Sequence, residues 1–147
     1  IFSRQGTSAI ERTPEQLSSI EIGGYLLEEY EDANITIVAS GSEVQLAIDA
    51  AKELKNESII ANVVSMPCLD IFLEQSIQLQ NKIINPNKPV LVVECAHPNS
   101  WYKILNRRDK VIGMEAFGES APGSELLKHF GFDKENVIQS AKSLIND

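Results

Sequence analysis

Four short runs of apolar residues, rich in valine and isoleucine, constrain the fold of this chain more than any other feature. They cover residues 35–39, 60–65, 90–94 and 111–114. Runs of this length and composition are typical of strands that are buried on both faces. Helical patterns lie between and after them, so strand and helix alternate along the chain. This order predicts right-handed crossovers and a mostly parallel sheet with helices on both faces, a three-layer α/β/α domain.

The segment after the first run has the clearest helical pattern. Its apolar residues recur at steps of three and four, which predicts a helix over residues 42–55 with one apolar stripe. These residues are Val44, Ala47, Ile48, Ala51 and Leu54. Ser42 and Gln45 have the spacing of a capping box. We therefore expect the Ser42 hydroxyl to accept a hydrogen bond from a backbone amide of the first helical turn.

Weaker signals place the remaining helices. Pro67 ends the second strand, because proline has no backbone amide to donate and restricts the residue before it. A loosely helical pattern over residues 69–84 follows it. Pro122 is expected to begin a helix that ends near Gly131. Asp133 is expected to cap the last helix.

The amino-terminal part of the chain is harder to assign. Residues 23–27 are compatible with an additional edge strand or with the start of a helix, because periodicity does not separate the two in so short a run. Residues 1–21 contain scattered apolar residues and one proline, and we expect an extended arm or linker outside the core. Residues 22–147 then form one domain. The chain begins with Ile1 instead of methionine, as in a processed protein or a part of a longer one.

Charge and cysteine content exclude several classes of protein. The chain has 147 residues, the size of one domain, with 13 lysines and arginines against 21 aspartates and glutamates and a formal charge of −8. Nucleic acids and anionic membrane surfaces are therefore poor partners, and no apolar run approaches the roughly 20 residues of a membrane span. Two cysteines, Cys68 and Cys95, make neither a disulfide framework nor a zinc site, and they favour a reducing compartment, the cytoplasm.

The loop of residues 39–43 is a candidate binding site, because it joins the end of a strand to the start of a helix. Free amides at such a position attract anions in doubly wound sheets. This loop has one glycine and lacks the glycine spacing of a dinucleotide or phosphate loop, and its Glu43 would repel a phosphate. A tightly turned helix start is the favoured interpretation. An independent anion- or nucleotide-binding regulatory α/β domain is the alternative.

Side chains that could serve nucleophilic or acid–base catalysis are present, but their spacing does not support such a role. Ser42 lacks the glycine pattern of a nucleophile elbow, and Cys95 stands only two residues before His97, where a strand is ending. Glu94 and Glu115 each follow a strand, but nothing in the sequence pairs them. The types and spacing of these residues therefore predict no catalytic site.

The remaining polar features have simple interpretations. The acidic run over residues 28–32 is expected to be a solvated surface, and His129 is expected to face the negative end of a helix dipole. Cys68 and Cys95 stand 27 residues apart, at the ends of two different strands. A redox pair is one interpretation of these cysteines, and two separate buried thiols are the favoured one.

A series of short motifs, spread over nearly the whole sequence, carries a family resemblance. In order, they are Ser3-Arg4-Gln5, Gly23-Gly24-Tyr25, Gly41-Ser42-Glu43-Val44, Val64-Ser65-Met66-Pro67, Phe117-Gly118-Glu119-Ser120-Ala121-Pro122-Gly123 and Phe130-Gly131-Phe132. Each motif is weak alone, but their order and spacing together are specific. By these motifs the chain resembles the C-terminal domain of transketolases.

The resemblance implies an activity that belongs to a larger enzyme. Transketolases are homodimeric three-domain transferases of the pentose phosphate pathway, which move a two-carbon ketol unit between sugar phosphates. Their N-terminal and middle domains hold thiamine diphosphate and a divalent cation, magnesium or calcium. This chain is therefore expected to hold neither group, to support the dimer and to be inactive alone.

The resemblance also implies a fold and one site residue. The C-terminal domain of this family is a mixed five-stranded sheet, mostly parallel, with an antiparallel first strand, which makes residues 24–27 a strand. In the family, the arginine of the Ser-Arg-Gln motif binds the phosphate of the substrate. That position is Arg4 in this chain, and a guanidinium group is well suited to phosphate oxygens.

Overall fold

A five-stranded sheet forms the centre of the computed structural model, which describes residues 6, 7 and 9–146. Its strands, in chain order, are β1 (Tyr25–Glu28), β2 (Ile35–Ala39), β3 (Ala61–Ser65), β4 (Val90–Val93) and β5 (Lys110–Ile112). The spatial order is β1-β3-β2-β4-β5, with β1 antiparallel to β3 and all other pairs parallel. The predicted mixed sheet with an antiparallel first strand is confirmed.

Six α-helices and two 3-10 helices lie around this sheet within the described residues. The α-helices are α1 (Pro14–Ser18), α2 (Glu43–Asn56), α3 (Leu69–Leu73), α4 (Ile77–Ile83), α5 (Gly123–His129) and α6 (Lys134–Asn146), and the 3-10 helices are Ser19–Ile22 and Pro98–Ile104. Helices α2 and α6 pack on one face of the sheet. Helices α3 and α4 and the second 3-10 helix pack on the other face. The predicted three-layer arrangement is confirmed.

Strand alternation explains how one short sheet supports two cores. In β2, Ile35 and Ile37 point into the core beneath α2 and α6, whereas Val38 points into the core on the opposite face. The side chains of β4 divide in the same way, and every residue of β2 and β4 is buried. This double burial is why both strands are continuous apolar runs in the sequence.

Glycine resolves the two possibilities for residues 23–27. Gly23 ends the first 3-10 helix with a φ of +86°, and its amide donates to the carbonyl of Ile20. A Cβ at this position would collide with the backbone of Cys68 and Phe72. The left-handed turn at Gly23 therefore stops the helix and turns the chain directly into β1, which is the strand alternative.

The start of α2 differs from the predicted capping box. Ser42 has helical backbone angles (φ −69°, ψ −26°) and makes no side-chain cap, whereas a capping side chain requires an extended residue. Its hydroxyl instead donates to Oε1 of Glu43 (2.6 Å), and Gln45 donates to Asp49 (2.9 Å). A tight turn precedes the helix, with Gly41 at a φ of +52°. The prediction of a tightly turned helix start is therefore correct, and the capping box is wrong.

The amino-terminal segment is not extended throughout, as the sequence suggested. A capping box between Thr13 and Gln16 begins α1. Gln16 also donates to the carbonyl oxygens of Leu26 (3.1 Å) and Leu27 (3.0 Å) in β1, and Ile10 packs against the core. The described residues of this segment are therefore not extended throughout, while the division into an arm or linker over residues 1–21 and a domain over residues 22–147 stays a prediction.

The other element predictions hold with small shifts. The pattern over residues 69–84 is two short helices, α3 and α4. Pro122 caps α5, and Asp133 accepts from the amide of Asn136 (3.0 Å) at the start of α6. Strand β5 ends at Ile112, two residues before the predicted end. Among the described residues, no helix is long and apolar enough to cross a membrane.

Candidate functional site

The carboxyl ends of the parallel strands meet at one edge of the sheet. Ala39, at the end of β2, is level with Ser65 of β3 and with Val93 of β4. From β2 the chain crosses to β3 on one side, whereas β4 lies on the other side of β2. The loops that follow β2 and β4 therefore diverge, and ligands of doubly wound folds bind at such a switch point.

A cleft of about 720 Å³ opens at this switch point. We call it the carboxyl-edge cleft. Its polar and charged lining residues are Arg12, Tyr25, Ser40, Ser42, Glu43, Ser65 and Glu94, and its other lining residues are Ile20, Gly41, Val44, Pro67 and Ala96. The volume lies in the range of sites for small organic molecules.

Ser40 and Glu94 connect the two loops across the switch point. The Ser40 hydroxyl donates to Oε2 of Glu94 (2.5 Å), and the Glu94 amide donates to the Ile112 carbonyl (3.0 Å). Burial raises the pKa of the Glu94 carboxyl, the Ser40 hydrogen bond opposes this, and the nearby Glu43 charge adds to it. Glu94, which the sequence left without a partner, therefore has one in Ser40.

Glu43 is the most deeply buried charged residue at the cleft. It is only 6% exposed, and it is the first residue of α2, where the helix dipole favours a negative charge. Among the described residues, no lysine, arginine or histidine nitrogen lies within 4.0 Å of Glu43 or Glu94. Two carboxylates therefore lie at the cleft without a cation in direct contact.

Cys95 is unsuited to nucleophilic catalysis. Burial raises the pKa of its thiol far above the ordinary value, and the Glu43 and Glu94 carboxylates raise it further, so the reactive thiolate is suppressed. His97 is exposed and accepts from the Asn99 amide (3.3 Å) at the start of a 3-10 helix. Within the described residues, no hydrogen bond joins His97 to Cys95 or Ser42. The interpretation of His97 as a polar loop histidine is therefore the better one.

Arg12 is a cleft residue that sequence reasoning missed. Its Nε donates to the Tyr25 hydroxyl (2.5 Å) and its Nη1 to the Ile10 carbonyl (3.0 Å). No spacing rule joins residues 12 and 25, because a short helix and a glycine turn lie between them. The sequence did indicate the positions of Ser40 and Glu94, since each directly follows a strand of the same parallel sheet.

The other candidate residues lie apart from the cleft. Arg4 lies outside the described residues. Glu115 is exposed, and His129 lies in the last turn of α5, as expected, 3.9 Å from an exposed carboxylate oxygen of Glu119. Cys68 and Cys95 are both free, which agrees with separate thiols, but both are only half-buried, so the predicted burial is wrong. In the acidic run, Glu28 is partly buried in β1 and the other three acids are exposed.

The chemistry of the cleft restricts what it can bind. The part of the chain that the structure describes contains no group of three or more histidine, cysteine or acidic side chains that could hold a metal ion. An anion would meet two carboxylates and one guanidinium group. The residues present therefore fit neither a protein-held metal nor a diphosphate.

Comparison with known proteins gives one consistent family. Residues 23–133 match the family model described as the transketolase-like TK C-terminal domain. Over 148 residues the chain is 42% identical to transketolase 2 of Aliivibrio fischeri, and the match covers 99% of this chain and 22% of that protein. The chain thus spans about a fifth of the length of the curated relatives it matches.

Solved structures give the same result for the fold. The transketolase from Leishmania mexicana superposes with a TM-score of 0.82 at 36% identity, covering 88% of this chain and 19% of that one. A structure described as a split gene transketolase, inactive beta4 tetramer, superposes with a TM-score of 0.65 at 27% identity, covering 86% and 43% of the two chains.

Proposed function

We propose, from the premise that this chain belongs to the family of transketolase-like C-terminal domains, that it works as the C-terminal part of a transketolase. Such an enzyme transfers a two-carbon ketol unit between sugar phosphates in the pentose phosphate pathway. The observation that carries the proposal is the alignment of nearly the whole chain with one fifth of a transketolase. The superposition with solved transketolases also supports it.

The chain alone is expected to be inactive. It spans about a fifth of its relatives, so most of the enzyme lies outside it. The split gene transketolase is relevant here, because this chain covers only 43% of that polypeptide, which is itself described as inactive. We therefore assign the described residues a supporting role in a larger active assembly.

Thiamine diphosphate and a divalent cation, magnesium or calcium, belong to the remainder of the proposed enzyme. The described residues provide no metal-binding group. The carboxyl-edge cleft presents two carboxylates, which would repel a diphosphate.

Arg4 is the proposed contact with substrate phosphate. It stands in the Ser3-Arg4-Gln5 motif of an otherwise acidic chain with a formal charge of −8. Such a chain repels sugar phosphates unless a local cation receives them. A guanidinium group stays charged at any working pH and donates to two phosphate oxygens at once.

The proposed partners are the N-terminal and middle domains of the same enzyme and a second subunit, in the cytoplasm. Exposed apolar side chains support such packing. Phe117 is 98% exposed, and Leu17, Ile20 and Ile71 are also exposed, on or beside the first 3-10 helix and α3. A contact with another domain would remove these apolar groups from water, which is favourable.

Kinetics of the complete polypeptide would test this function. We expect ketol transfer from xylulose 5-phosphate to ribose 5-phosphate when thiamine diphosphate and magnesium are supplied, and none from the 147-residue chain alone. A complete polypeptide that shows no transfer under these conditions would contradict the assignment.

The Arg4→Ala variant of that polypeptide tests the phosphate contact. A charge-assisted hydrogen bond contributes about 1.5–3 kcal/mol, so kcat/KM for ribose 5-phosphate should fall roughly 10- to 150-fold. The rate with unphosphorylated ribose should change little, and Arg107→Ala, which alters an exposed arginine, is the matched control. Equal losses for ribose and ribose 5-phosphate would show that Arg4 does not act on the phosphate.

A further inference from the structure

A second cavity lies at the edge of the sheet opposite to the carboxyl-edge cleft. We call it the amino-edge cavity, because its residues precede β2, β4 and β5, where the parallel strands begin. Its polar and charged lining residues are Asn34, Asn87, Lys88, Asn106, Arg108 and Asp109. Its volume is about 220 Å³, below the range of about 300–1,000 Å³ for sites of drug-sized molecules. The cavity therefore suits a small ligand.

The sequence around this cavity is basic, although the chain as a whole is acidic. Residues 82–110 contain six lysines and arginines and two acids, whereas the rest of the chain contains seven and nineteen. Lys88 and Arg108, the two cations of the cavity, belong to this basic segment. A local positive field in an acidic chain attracts small anions to one place.

Two closed turns present these cations. One turn ends at Lys88, whose amide donates to the carbonyl oxygen of Asn85 (3.1 Å). The other turn contains Arg108, and a hydrogen bond from the amide of Asp109 to the carbonyl oxygen of Asn106 (3.1 Å) closes it. The backbone at both cations is therefore fixed before a ligand arrives, which lowers the entropic cost of binding.

Asp109, the acidic residue at the cavity, is already engaged with the backbone. Its Oδ1 accepts from the amide of Val90 (2.8 Å), and its Oδ2 accepts from the amide of Asn106 (2.6 Å). The side chains of Lys88 and Arg108, by contrast, donate no hydrogen bond to the described residues, and no carboxylate oxygen of those residues lies within 4.0 Å of them. Two cations therefore line one cavity without an anionic partner, and an anion would relieve their repulsion.

We propose that the amino-edge cavity binds a small phosphate monoester between Lys88 and Arg108. Such a group carries a charge of about −1.5 to −2 at pH 7, which matches two cations better than the single charge of a carboxylate. The guanidinium group of Arg108 donates to two phosphate oxygens, and the ammonium group of Lys88 supplies further donors. Leu144 and Ile145 line the same cavity and contact the carbon skeleton of the ligand. The proposal does not depend on the ketol transferase function.

Three probes with the same three-carbon skeleton test the chemistry: glycerol 3-phosphate, glycerate and glycerol. Each is titrated into the isotope-labelled 147-residue chain, and the amide signals of Lys88, Asn106 and Arg108 are followed by NMR. We expect saturable shifts with glycerol 3-phosphate, weaker binding of glycerate and affinity at least about tenfold lower for glycerol, because charge-assisted hydrogen bonds are lost. Glycerate or glycerol that binds as tightly as glycerol 3-phosphate, or no saturable shift with glycerol 3-phosphate, would overturn the proposal.

Inorganic phosphate and vesicles that contain phosphatidic acid distinguish the small ester from other sources of phosphate. Inorganic phosphate should bind more weakly than glycerol 3-phosphate, because it lacks a carbon skeleton to contact Leu144 and Ile145. Equal or tighter binding of inorganic phosphate would show that the cavity takes up an adventitious ion only. Vesicles that retain the chain, when glycerol 3-phosphate does not bind it, would indicate a membrane surface. Either result would overturn the proposal.

Three variants test the residues. Arg108→Gln and Lys88→Met each remove one cation from the cavity, so the affinity for glycerol 3-phosphate should fall about tenfold or more in each. Arg107→Gln removes the same charge from an exposed neighbour that does not line the cavity, and the affinity should change by less than about threefold. Equal losses in Arg107→Gln and Arg108→Gln would show a general effect of charge and would refute the site. If Arg108→Gln does not give a folded spectrum, Lys88→Met and the probe series on the unaltered chain decide the question.

Discussion

The loops that leave β2 and β4 differ sharply from the loop that leaves β5, although all three start at the same edge of the sheet. Ser40 and Glu94 bond the first two loops to each other, and the buried Trp101 anchors the chain beyond β4. The loop after β5, residues 113–122, donates from Met114 to the Ala96 carbonyl and then exposes Phe117 almost completely. The first pair is stabilised within the chain, whereas residues 115–122 of the third loop are all exposed.

The difference shows that the segment that best identifies the family is not a segment that stabilises the fold of this chain. The loop after β5 carries the longest family motif, yet its aromatic residue contacts little within the described chain. A side chain that contributes little to folding of its own domain is available for contacts with another. This is consistent with the proposed place of the chain in a larger enzyme.

The largest expected contrast is between two aromatic residues. Trp101→Ala removes a 5% exposed side chain from the core on the α3 and α4 face, and it should cost about 3–5 kcal/mol. Phe117→Ala should change the free energy of unfolding of this chain by less than about 0.5 kcal/mol. Urea unfolding of both variants measures the contrast. A loss of more than 1 kcal/mol in Phe117→Ala would mean that the loop after β5 is anchored within the chain.

Two glycines provide a smaller contrast. Gly41 has a φ of +52°, so Gly41→Ala forces a left-handed conformation on alanine and should destabilise the chain by about 1–2 kcal/mol. A Cβ at Gly118 meets no atom within 4 Å, and Gly118→Ala should be neutral or slightly stabilising. Thermal unfolding compares the two. Similar melting temperatures for both variants would show that the two loops are equally tolerant.

The smallest expected effect is a pH dependence at Glu94. Burial raises its pKa in the folded chain, so the folded state binds this proton more readily than the unfolded state. The free energy of unfolding should therefore fall as the pH rises from the ordinary carboxyl pKa through the raised one, and stay lower above it. Glu94→Gln should flatten this slope, whereas Glu115→Gln should keep it.

Urea titrations from pH 4 to pH 8 measure the slope in the unaltered chain and in both variants. An identical slope in Glu94→Gln and the unaltered chain would show that Glu94 is solvated like an ordinary surface carboxyl. A reversed slope would show that its charge is stabilised by the fold.

Local sequence signals were sufficient for most of the fold. The strands β2 and β4 are continuous apolar runs because both of their faces are buried. Helix α2 has a single apolar stripe because only one of its sides packs on the sheet. Residues 23–27 required the family resemblance, because their decisive feature is the positive φ of Gly23, which periodicity does not show.

The cleft was predictable in position but not in detail. The sequence placed a loop after β2 and an acid after β4 at strand ends, and the parallel sheet brings these ends together. It did not pair Ser40 with Glu94, because 54 residues separate them, nor Arg12 with Tyr25. The capping box at Ser42 failed because the backbone there is already helical, whereas the same pattern at Thr13 and Gln16 was overlooked.

The hydrogen bonds from Gln16 to β1 have a consequence for association between chains. Strand β1 is an edge of the sheet, and an open edge invites pairing with a strand of another molecule. The side-chain amide of Gln16 donates to the carbonyl oxygens of both Leu26 and Leu27. The register of β1 is also irregular, between Leu26 and Glu28. The opposite edge, β5, has only three residues and begins with a lysine. Both edges are thus poor templates for aggregation, and at β1 the protection comes from the segment that precedes the sheet.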